Sequence, residues 1–576
     1  MRKILFTFLL LCPVLLNAQT WQWAKATSCG HAPGSDLGMI GYENQSANPG
    51  LYFVGVNLGD SLCLDPFTIT NPLDSEQTFI GKYDTAGNIL WLMGSNGGRC
   101  GPINMTVDQQ GNLLVLGLLF TDSVQFGTRT IINPEYIIGG GPTNNHCYFI
   151  LKVDPTGAII WTEVGGNMEE YYEGLRIGGI TVDPSGHIYV SGSFDDSLLR
   201  VSGHTFVNTN ADSGDIFLCK YDSLGNYLWT KTFGGHGDDH GEQVLAGSNN
   251  RLYMTGHFSS AILPFGNITL TRNGSLIWGS KSNVFVAEMD TSGNAIWAKN
   301  PVGNAFEKGF ALDRENNIYV SGAICDSFMS FGPYAFTSSE LWLGFFLAKY
   351  DTSGTPLWAK FMYPLTQNFV SSRNNLFEIA IDPCDNAWVH GAIPYDSIGI
   401  NNDVLIHSRQ TGIDPMLFAG FSSTGTLLHV STYPTGGDDN AGLTSDCKGN
   451  IYMAGDISVF PLILGNDTLR NFGNEHMFVA KYSPGLGCSG FCGFPAAEYD
   501  LSKNSSVSIF PNPANSKIVI SSQDKIKSIR IDNVTGQQIF DGNYDSQKIE
   551  LNVEIFPSGI YFIRINASVV RKFIKQ

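Results

Sequence analysis

Two short motifs alternate along the chain. The first is typified by "AKYDTSGTPLW", which ends at Trp358; four more full copies, a weaker copy ending at His429 and a partial copy starting at Ala480 share its pattern. The second motif is typified by "IYVSG" at Ile188 and has seven copies between Leu51 and Ile451. Six intervals over that distance give a repeat of about 67 residues, which suits a propeller blade of four strands.

Each repeat predicts four strands, A to D. Strand A ends in an Asp turn ("FALDRENN"), "IYVSG" is strand B, and "FLAKYD" and "PLWAK" are strands C and D. Both faces of these strands are apolar, which favours sheets packed on both sides. The repeats therefore predict an all-β chain with a seven-bladed β-propeller, in which the B–C connection is a long loop.

The two ends of the repeat region predict how the ring closes. The segment "WQWAKAT", from Trp21 to Thr27, matches strand D without its preceding strands, whereas the last repeat lacks strand D. We expect the N-terminal strand to complete the seventh blade, because closure removes open sheet edges.

The repeated segments "IYVSG" and "FLAKYDTSGTPLW" and the Gly-Gly links resemble the bacterial β-propeller repeat family known as SBBP. This resemblance spans about residues 21–487 and implies a propeller. It implies no particular activity.

The N-terminus has the pattern of a secretory signal peptide. Arg2 and Lys3 precede an apolar run from Ile4 to Leu16, and the segment ends in Ala18. We predict a signal peptide over residues 1–18, followed by a propeller domain over 19–487. No later segment has the length and hydropathy to span a membrane. The net charge of −18 argues against a nucleic-acid partner.

The C-terminal segment, residues 505–576, does not contain the repeat motifs, and its sequence predicts a small Ig-like β-sandwich. Residues 488–504 are predicted to be a linker. Its segments "FPNPA", "DNVTGQQIF" and "FPSGIYFIRI" resemble the type A C-terminal sorting domain of the type IX secretion system. The residues that carry this motif are Pro511, Asn512, Pro513, Gly536, Pro557 and Gly559. The resemblance implies the secretion machinery as a partner, and the outer-membrane surface or the extracellular space as the location.

Ten cysteines remain after the predicted signal peptide, an even number that permits disulfides in an exported protein. Cys488 and Cys492 are the one close pair, and we predict that they form a bridge. No spacing indicates zinc, and we predict no cofactor.

Candidate ligand residues lie on the rim formed by the B–C loops and the D–A links. The link "FGGHGDDHGE" clusters two histidines with three carboxylates, a set that suits a metal or acid–base chemistry. Similar Gly-rich links recur with other polar residues, which favours turn structure. Irregular aromatics are candidates for a ligand face, whereas the repeated Trp is expected to pack between blades. The rim candidates are His236, Asp238, Asp239, His240, Glu242, Tyr171, Tyr172, Trp278, Trp342, Asp438 and Asp439.

These features predict a secreted or cell-surface binding or adhesion module without enzymatic activity, which binds a glycan or a surface protein. The alternatives are an exported carbohydrate-active hydrolase or lyase with its site on the loop-rich rim, and a spacer without a ligand. No residue is assigned a catalytic role.

Overall fold

The computed structural model describes residues 19–486 and 508–575, apart from 28–34, 44, 47, 72–75, 135–145, 167–173, 196–197, 209–212, 275–281, 338–343, 365–377, 393–396, 401–402, 407–415, 434–441, 458–460, 471–475, 511–513, 534–537, 558 and 566–568. The predicted signal peptide and linker lie outside these residues. The chain forms two compact units, residues 1–494 and 495–576.

The described residues form strands without helices. The first group of strands is β1 (Thr20–Ala26), β2 (Ser35–Glu43), β3 (Gly50–Asn57), β4 (Ser61–Leu64), β5 (Phe67–Thr70), β6 (Gln77–Asp84), β7 (Ile89–Asn96), β8 (Cys100–Val107), β9 (Leu113–Leu119), β10 (Ser123–Phe126), β11 (Arg129–Ile132), β12 (Cys147–Val153), β13 (Ile159–Gly165), β14 (Leu175–Val182), β15 (Ile188–Phe194), β16 (Leu198–Val201), β17 (His204–Val207), β18 (Asp215–Tyr221) and β19 (Tyr227–Phe233).

The second group is β20 (Asp239–Ala246), β21 (Arg251–Phe258), β22 (Ile262–Phe265), β23 (Ile268–Thr271), β24 (Asn283–Asp290), β25 (Ala295–Lys299), β26 (Ala305–Leu312), β27 (Ile318–Ile324), β28 (Phe328–Phe331), β29 (Tyr334–Thr337), β30 (Gly344–Tyr350), β31 (Pro356–Pro364), β32 (Glu378–Ile381), β33 (Ala387–Ala392), β34 (Ser397–Ile400), β35 (Asp403–Ile406), β36 (Met416–Phe421), β37 (Leu427–Tyr433), β38 (Gly442–Ser445), β39 (Ile451–Ile457), β40 (Leu462–Leu464), β41 (Asp467–Leu469) and β42 (His476–Ser483). The C-terminal unit contains β43 (Ser508–Phe510), β44 (Lys517–Asn533), β45 (Gln538–Asn552), β46 (Gly559–Ile565) and β47 (Val569–Lys575).

The first unit has the architecture of a β-propeller. Within the described residues its main strands make seven antiparallel four-strand arrays, which we name sheets 1 to 7: β2-β3-β6-β7, β8-β9-β12-β13, β14-β15-β18-β19, β20-β21-β24-β25, β26-β27-β30-β31, β32-β33-β36-β37 and β38-β39-β42-β1. The first strands of neighbouring sheets contact one another in cyclic order, and β38 of sheet 7 contacts β2 of sheet 1. The count of seven blades and the boundaries at residues 18, 487 and 504 remain predictions.

Sheet 7 combines the two ends of the repeat region. Strand β1 pairs antiparallel with β42, so that Ala24 lies opposite Ala480. The Trp23 indole nitrogen donates to the carbonyl oxygen of Thr85 in sheet 1 at 3.3 Å, and the Lys481 ammonium donates to the same oxygen at 3.2 Å. Strand β1 therefore supplies the outer strand of sheet 7 and also bonds to the next sheet.

The connections between the second and third strands of the sheets are not simple loops. Each contains a two-stranded hairpin, for example β4–β5 and β22–β23. Two of these hairpins add to the outer strand of the preceding sheet, through β10 on β7 and β34 on β31. The sequence prediction of a long B–C loop is thus wrong in detail: the hairpins add ordered strands beside the outer edges of the sheets.

The repeated tryptophans lie between sheets, as predicted. Trp91, for example, donates from its indole nitrogen to the carbonyl oxygen of Pro155, in the C–D turn of the next sheet, at 3.1 Å. A Cβ added at Gly157 of that turn would lie 2.9 Å from the Trp91 ring. Gly157 has a φ of 91°, so this position requires glycine for two reasons, the ring contact and the left-handed backbone.

The C-terminal unit is also all-β. Its long strand β44 pairs with β43 through its first half and with β46 through its second half, and β45 pairs with both halves. The buried residues Ile518, Ile531, Ile563 and Phe573 belong to one core cluster. Among the sorting-motif residues, the Pro557 carbonyl oxygen accepts a bond from the Tyr561 hydroxyl at 2.8 Å, and Gly559 starts β46. Pro511, Asn512, Pro513 and Gly536 lie outside the described residues.

Candidate functional site

A cavity of about 500 Å³ lies at the centre of the propeller unit. Residues from the first strand of every sheet line it, together with Gly55 and Val56 of β3. Its walls are partly apolar, with Ile40, Ile103 and Met105 among them. Its ionisable lining residues are three glutamates and one lysine: Glu242, Glu307, Glu378 and Lys308. We name this space the axial cavity.

β-Bulges shape the lining of the axial cavity. In the first strands of sheets 1 to 4 the pairing register skips one residue, at Gly38, Ile103, Gly178 and Glu242, respectively. In sheet 5 the register shifts between Glu307 and Phe310, so that Lys308 lies in the irregular segment. A bulge changes the direction of the side chain at that point of a strand, and each skipped residue in sheets 1 to 4 lines the cavity.

Glu378 and Lys308 form one part of the charged lining. The Lys308 ammonium lies 3.9 Å from a Glu378 carboxylate oxygen, and the two side chains are 40% and 31% exposed, respectively. Burial raises the pKa of Glu378, and the positive charge of Lys308 offsets only part of this shift. Burial and the Lys308 charge thus act in opposite directions on the pKa of Glu378, and burial has the larger effect.

A second group joins Glu242 of β20, His257 of β21 and Glu307 of β26. One potential ligand atom from each of the three residues lies within 4.8 Å of the others. The His257 Nδ1 atom is 3.1 Å from a Glu307 carboxylate oxygen, and the Glu307 side chain is fully buried. We name these residues the Glu–His–Glu cluster. It contacts the axial cavity through Glu242 and Glu307.

The Glu–His–Glu cluster has shifted protonation equilibria. Burial raises the pKa of Glu242, and repulsion from Glu307 raises it further. Burial alone lowers the pKa of His257, but the hydrogen bond and the negative charge of Glu307 outweigh that effect, so that the net pKa is raised. Glu242 and His257 therefore hold their protons more strongly than free glutamate and histidine side chains would.

The predicted rim cluster does not form one site. His236 and Asp238 are exposed, whereas Asp239 is buried. One oxygen of the Asp239 carboxylate accepts bonds from the Gly235 amide at 2.8 Å and the Ser260 hydroxyl at 2.7 Å. These bonds hold the turn, which supports the structural interpretation of this link. Burial raises the pKa of Asp239 to about 6, although the bonds from Ser260 and Gly235 act in the opposite direction.

His240 and Glu242, the other two members of the link, differ in their surroundings. His240 is buried, its Nδ1 atom lies 2.8 Å from the Ser193 hydroxyl, and its ring centroid is 4.7 Å from that of His257. Burial lowers the pKa of His240 to about 3, and His257 adds to this effect. Among the five rim candidates that the structure describes, Glu242 alone lines the axial cavity.

The remaining predicted sites are outside the described residues: Tyr171, Tyr172, Trp278, Trp342, Asp438, Asp439 and the pair Cys488–Cys492. Cys63, Cys384 and Cys447 take part in disulfides, which agrees with an oxidising location. Sequence reasoning missed His257, Glu307, Lys308 and Glu378. The available signal was a glutamate within the first four residues of three consecutive inner strands, β20, β26 and β32.

Comparison with protein families identifies the C-terminal unit. Residues 508–576 match the secretion system C-terminal sorting domain, which confirms the predicted type IX sorting domain. It links the chain to the secretion machinery and indicates export to the outer-membrane surface or the extracellular space. The described residues contain no helix with the length and apolar character needed to cross a membrane.

The chain is similar to proteins of several kinds. An uncharacterised WD repeat-containing protein of Acanthamoeba polyphaga mimivirus is 26% identical over 475 residues, which are 69% of this chain and 34% of that protein. The chain thus spans about a third of that relative's length. The NanB sialidase of Streptococcus pneumoniae is 9% identical, with 80% of this chain and 70% of that chain covered and a TM-score of 0.32.

PorZ of Porphyromonas gingivalis, a surface component of the type IX secretion system, is 11% identical; 96% of this chain and 100% of that chain are covered, with a TM-score of 0.16. Both structural likenesses concern the fold alone and carry no argument about function.

Proposed function

We propose that this exported protein is a surface binding module that holds the end of a glycan in its axial cavity. The observation that carries this proposal is the cavity itself, with its about 500 Å³ and its mixture of apolar walls and carboxylates. Ligand pockets have volumes of about 300–1,000 Å³ and combine apolar walls with a few polar groups. A folded protein surface does not enter such a space, whereas one or a few sugar rings do.

The charges of the lining support a ligand that donates hydrogen bonds. Glu242 and Glu378 supply carboxylate oxygens, and Lys308 is the one ammonium among the lining residues described. Carboxylates accept hydrogen bonds from hydroxyl groups, and these charge-assisted bonds are stronger than neutral ones. Sugars present several hydroxyl groups on an otherwise apolar ring, which matches this combination.

A glycan array with the purified full-length protein tests this proposal. We expect selective binding to a subset of glycans, and we expect Glu378→Gln to weaken it, because the amide loses the negative charge. Glu163→Gln, on the outer strand β13, is the matched control and should bind as the wild type does. Absence of any glycan on the array, with capture of surface proteins instead, would refute the glycan proposal.

The hydrolase alternative retains support from one observation. The pKa of Glu242 and that of Glu378 are both raised by burial, and a raised pKa moves a carboxyl group towards the range in which it can act as a general acid. Hydrolysis of a polysaccharide panel by the wild type but not by Glu242→Gln would favour the hydrolase over a binding module without enzymatic activity. No specific observation favours the spacer.

A further inference from the structure

We propose that the Glu–His–Glu cluster, formed by Glu242, His257 and Glu307, binds one divalent transition-metal ion of the zinc class at the wall of the axial cavity. This inference uses the cavity of the proposed function as the entry route, but it does not depend on the binding of a glycan there.

The donor atoms match such an ion. Zinc accepts histidine nitrogen together with carboxylate oxygen at bonds of about 2.0–2.2 Å, often in four-coordinate sites. The three donor groups lie within 4.8 Å of one another, and His257 Nδ1 and the Glu307 oxygen are already 3.1 Å apart. Small side-chain rotations would suffice to bring them onto one ion. An imidazole with two carboxylates favours a transition metal over calcium, which prefers six to eight oxygen ligands.

An unsatisfied oxygen of Glu307 is an independent sign of a missing ligand. Its Oε1 atom contacts His257, whereas its Oε2 atom is buried and has no hydrogen-bond partner among the described residues. A buried carboxylate oxygen without a partner is costly. The Glu307 side chain is 0% exposed, so bulk water does not explain how this oxygen is satisfied. A metal ion would supply the missing interaction.

The charges of the cluster point in the same direction. The carboxyl groups of Glu242 and Glu307 both face the single imidazole of His257. Two further cations influence it: Lys308 lies beside Glu378, and Arg176 is exposed. A divalent ion with neutral His257 balances the two carboxylates, and like charges this close repel strongly in a low-dielectric site. Three protein ligands also leave a coordination position for water or a ligand from the cavity.

The test is metal binding by the tag-free full-length protein after treatment with a chelator. Isothermal titration with ZnCl₂ alone should show one ion per chain, and Co²⁺ should give a visible spectrum without a thiolate charge-transfer band. Glu307→Gln keeps the shape of the side chain and a carbonyl oxygen that can accept a hydrogen bond from His257. Because the amide has no negative charge, the substitution should weaken Zn²⁺ binding by about 100-fold or more. Glu163→Gln, with its carboxylate on the outer strand β13, should bind as tightly as the wild type.

Absence of stoichiometric binding, or equal affinity in wild type and Glu307→Gln, would overturn the metal proposal. Circular dichroism and a thermal melt verify that the variant is folded. The glycan array is run with and without chelator on the same samples. Glycan binding in a protein that binds no metal would refute the metal site alone, and metal binding without any glycan ligand would refute the proposed function alone.

Discussion

Trp358 packs directly against Gly425 in the turn of the next sheet. The Trp358 indole nitrogen donates to the carbonyl oxygen of Ser423 at 3.0 Å, and a Cβ on Gly425 would lie 3.0 Å from the indole ring. Gly354 lies in the corresponding turn of sheet 5, where Trp297 of the preceding sheet packs against it in the same way. The motif "AKYDTSGTPLW" therefore connects its sheet to both neighbours. The indole ring of the preceding sheet packs on its glycine, and its own tryptophan packs on the turn of the next sheet.

Replacement of Gly354 by alanine tests this connector. The new Cβ would lie 2.8 Å from the Trp297 ring, at a residue whose φ is 71°. Left-handed backbone and overpacking each cost roughly 1–3 kcal/mol, so we expect a loss of about 2–6 kcal/mol in the free energy of unfolding. Gly38→Ala is the control, because its Cβ meets no atom within 4 Å. Equal denaturation midpoints for both variants would contradict the connector role.

Closure of the ring predicts the effect of removing β1. Deletion of residues 20–26 exposes the edge of β42 and removes the contact between Trp23 and sheet 1. We expect a lower melting temperature and concentration-dependent aggregation, since unpaired edges template association. Gln22→Ala, at an exposed position of the same strand, should leave both properties unchanged. A deletion variant that stays monomeric and has the same melting temperature as the wild type would show that closure of the ring does not depend on β1.

A buried ion pair stabilises sheet 5. The Lys349 ammonium lies 2.9 Å from an Asp313 carboxylate oxygen, with both side chains buried, and it also stands 4.8 Å from the centroid of the Tyr319 ring. Lys349→Met should cost about 3–5 kcal/mol, because it leaves the carboxylate without its cation. Lys349→Met combined with Asp313→Asn should recover part of that loss in chemical denaturation. A double variant less stable than the single variant would argue against the pair.

His390 predicts sensitivity to acid. It is buried in β33, and burial lowers its pKa to about 3. The unfolded chain takes up the proton near pH 6.5, whereas the native state does not, so this residue reduces stability as the pH falls from about 6.5 towards 3. Between pH 6.5 and 4 the loss is about 3 kcal/mol. His390→Leu should reduce the slope in unfolding titrations by this amount, while His240, whose pKa is also lowered to about 3, keeps its own contribution. An unchanged slope would show that His390 is protonated in the native state.

Much of the fold was predictable because it repeats. The seven copies of "IYVSG" predicted the sheets. The match of "WAK" at Trp23 with "WAK" at Trp358 predicted the pairing of β1. The hairpins between the second and third strands were missed because segments such as "ILPFGNITL" differ between repeats, although a Gly-Asn turn between apolar runs indicates a hairpin.

The axial site was not predictable in the same way. Glu242, Glu307 and Glu378 belong to three different sheets, and they share one cavity only because the first strands converge. The bulge that turns Glu242 inward has no signal of its own in the sequence. His257 looked like an ordinary residue of the second-strand motif, where its position in "LYMTGHF" precedes the hairpin.

A substitution that narrows the axial cavity without disturbing the fold tests whether this cavity is the binding site. Gly38 lines the cavity and has free space around a Cβ, so Gly38→Phe should place an aromatic ring in the cavity and reduce the space for a ligand. Val207→Phe, at an exposed residue of the hairpin strand β17, adds a similar ring at a residue that does not line the cavity. In calorimetric titrations with the strongest glycan from the array, we expect Val207→Phe to bind as the wild type does and Gly38→Phe to lose binding at least tenfold. Unchanged affinity in a correctly folded Gly38→Phe would contradict the account.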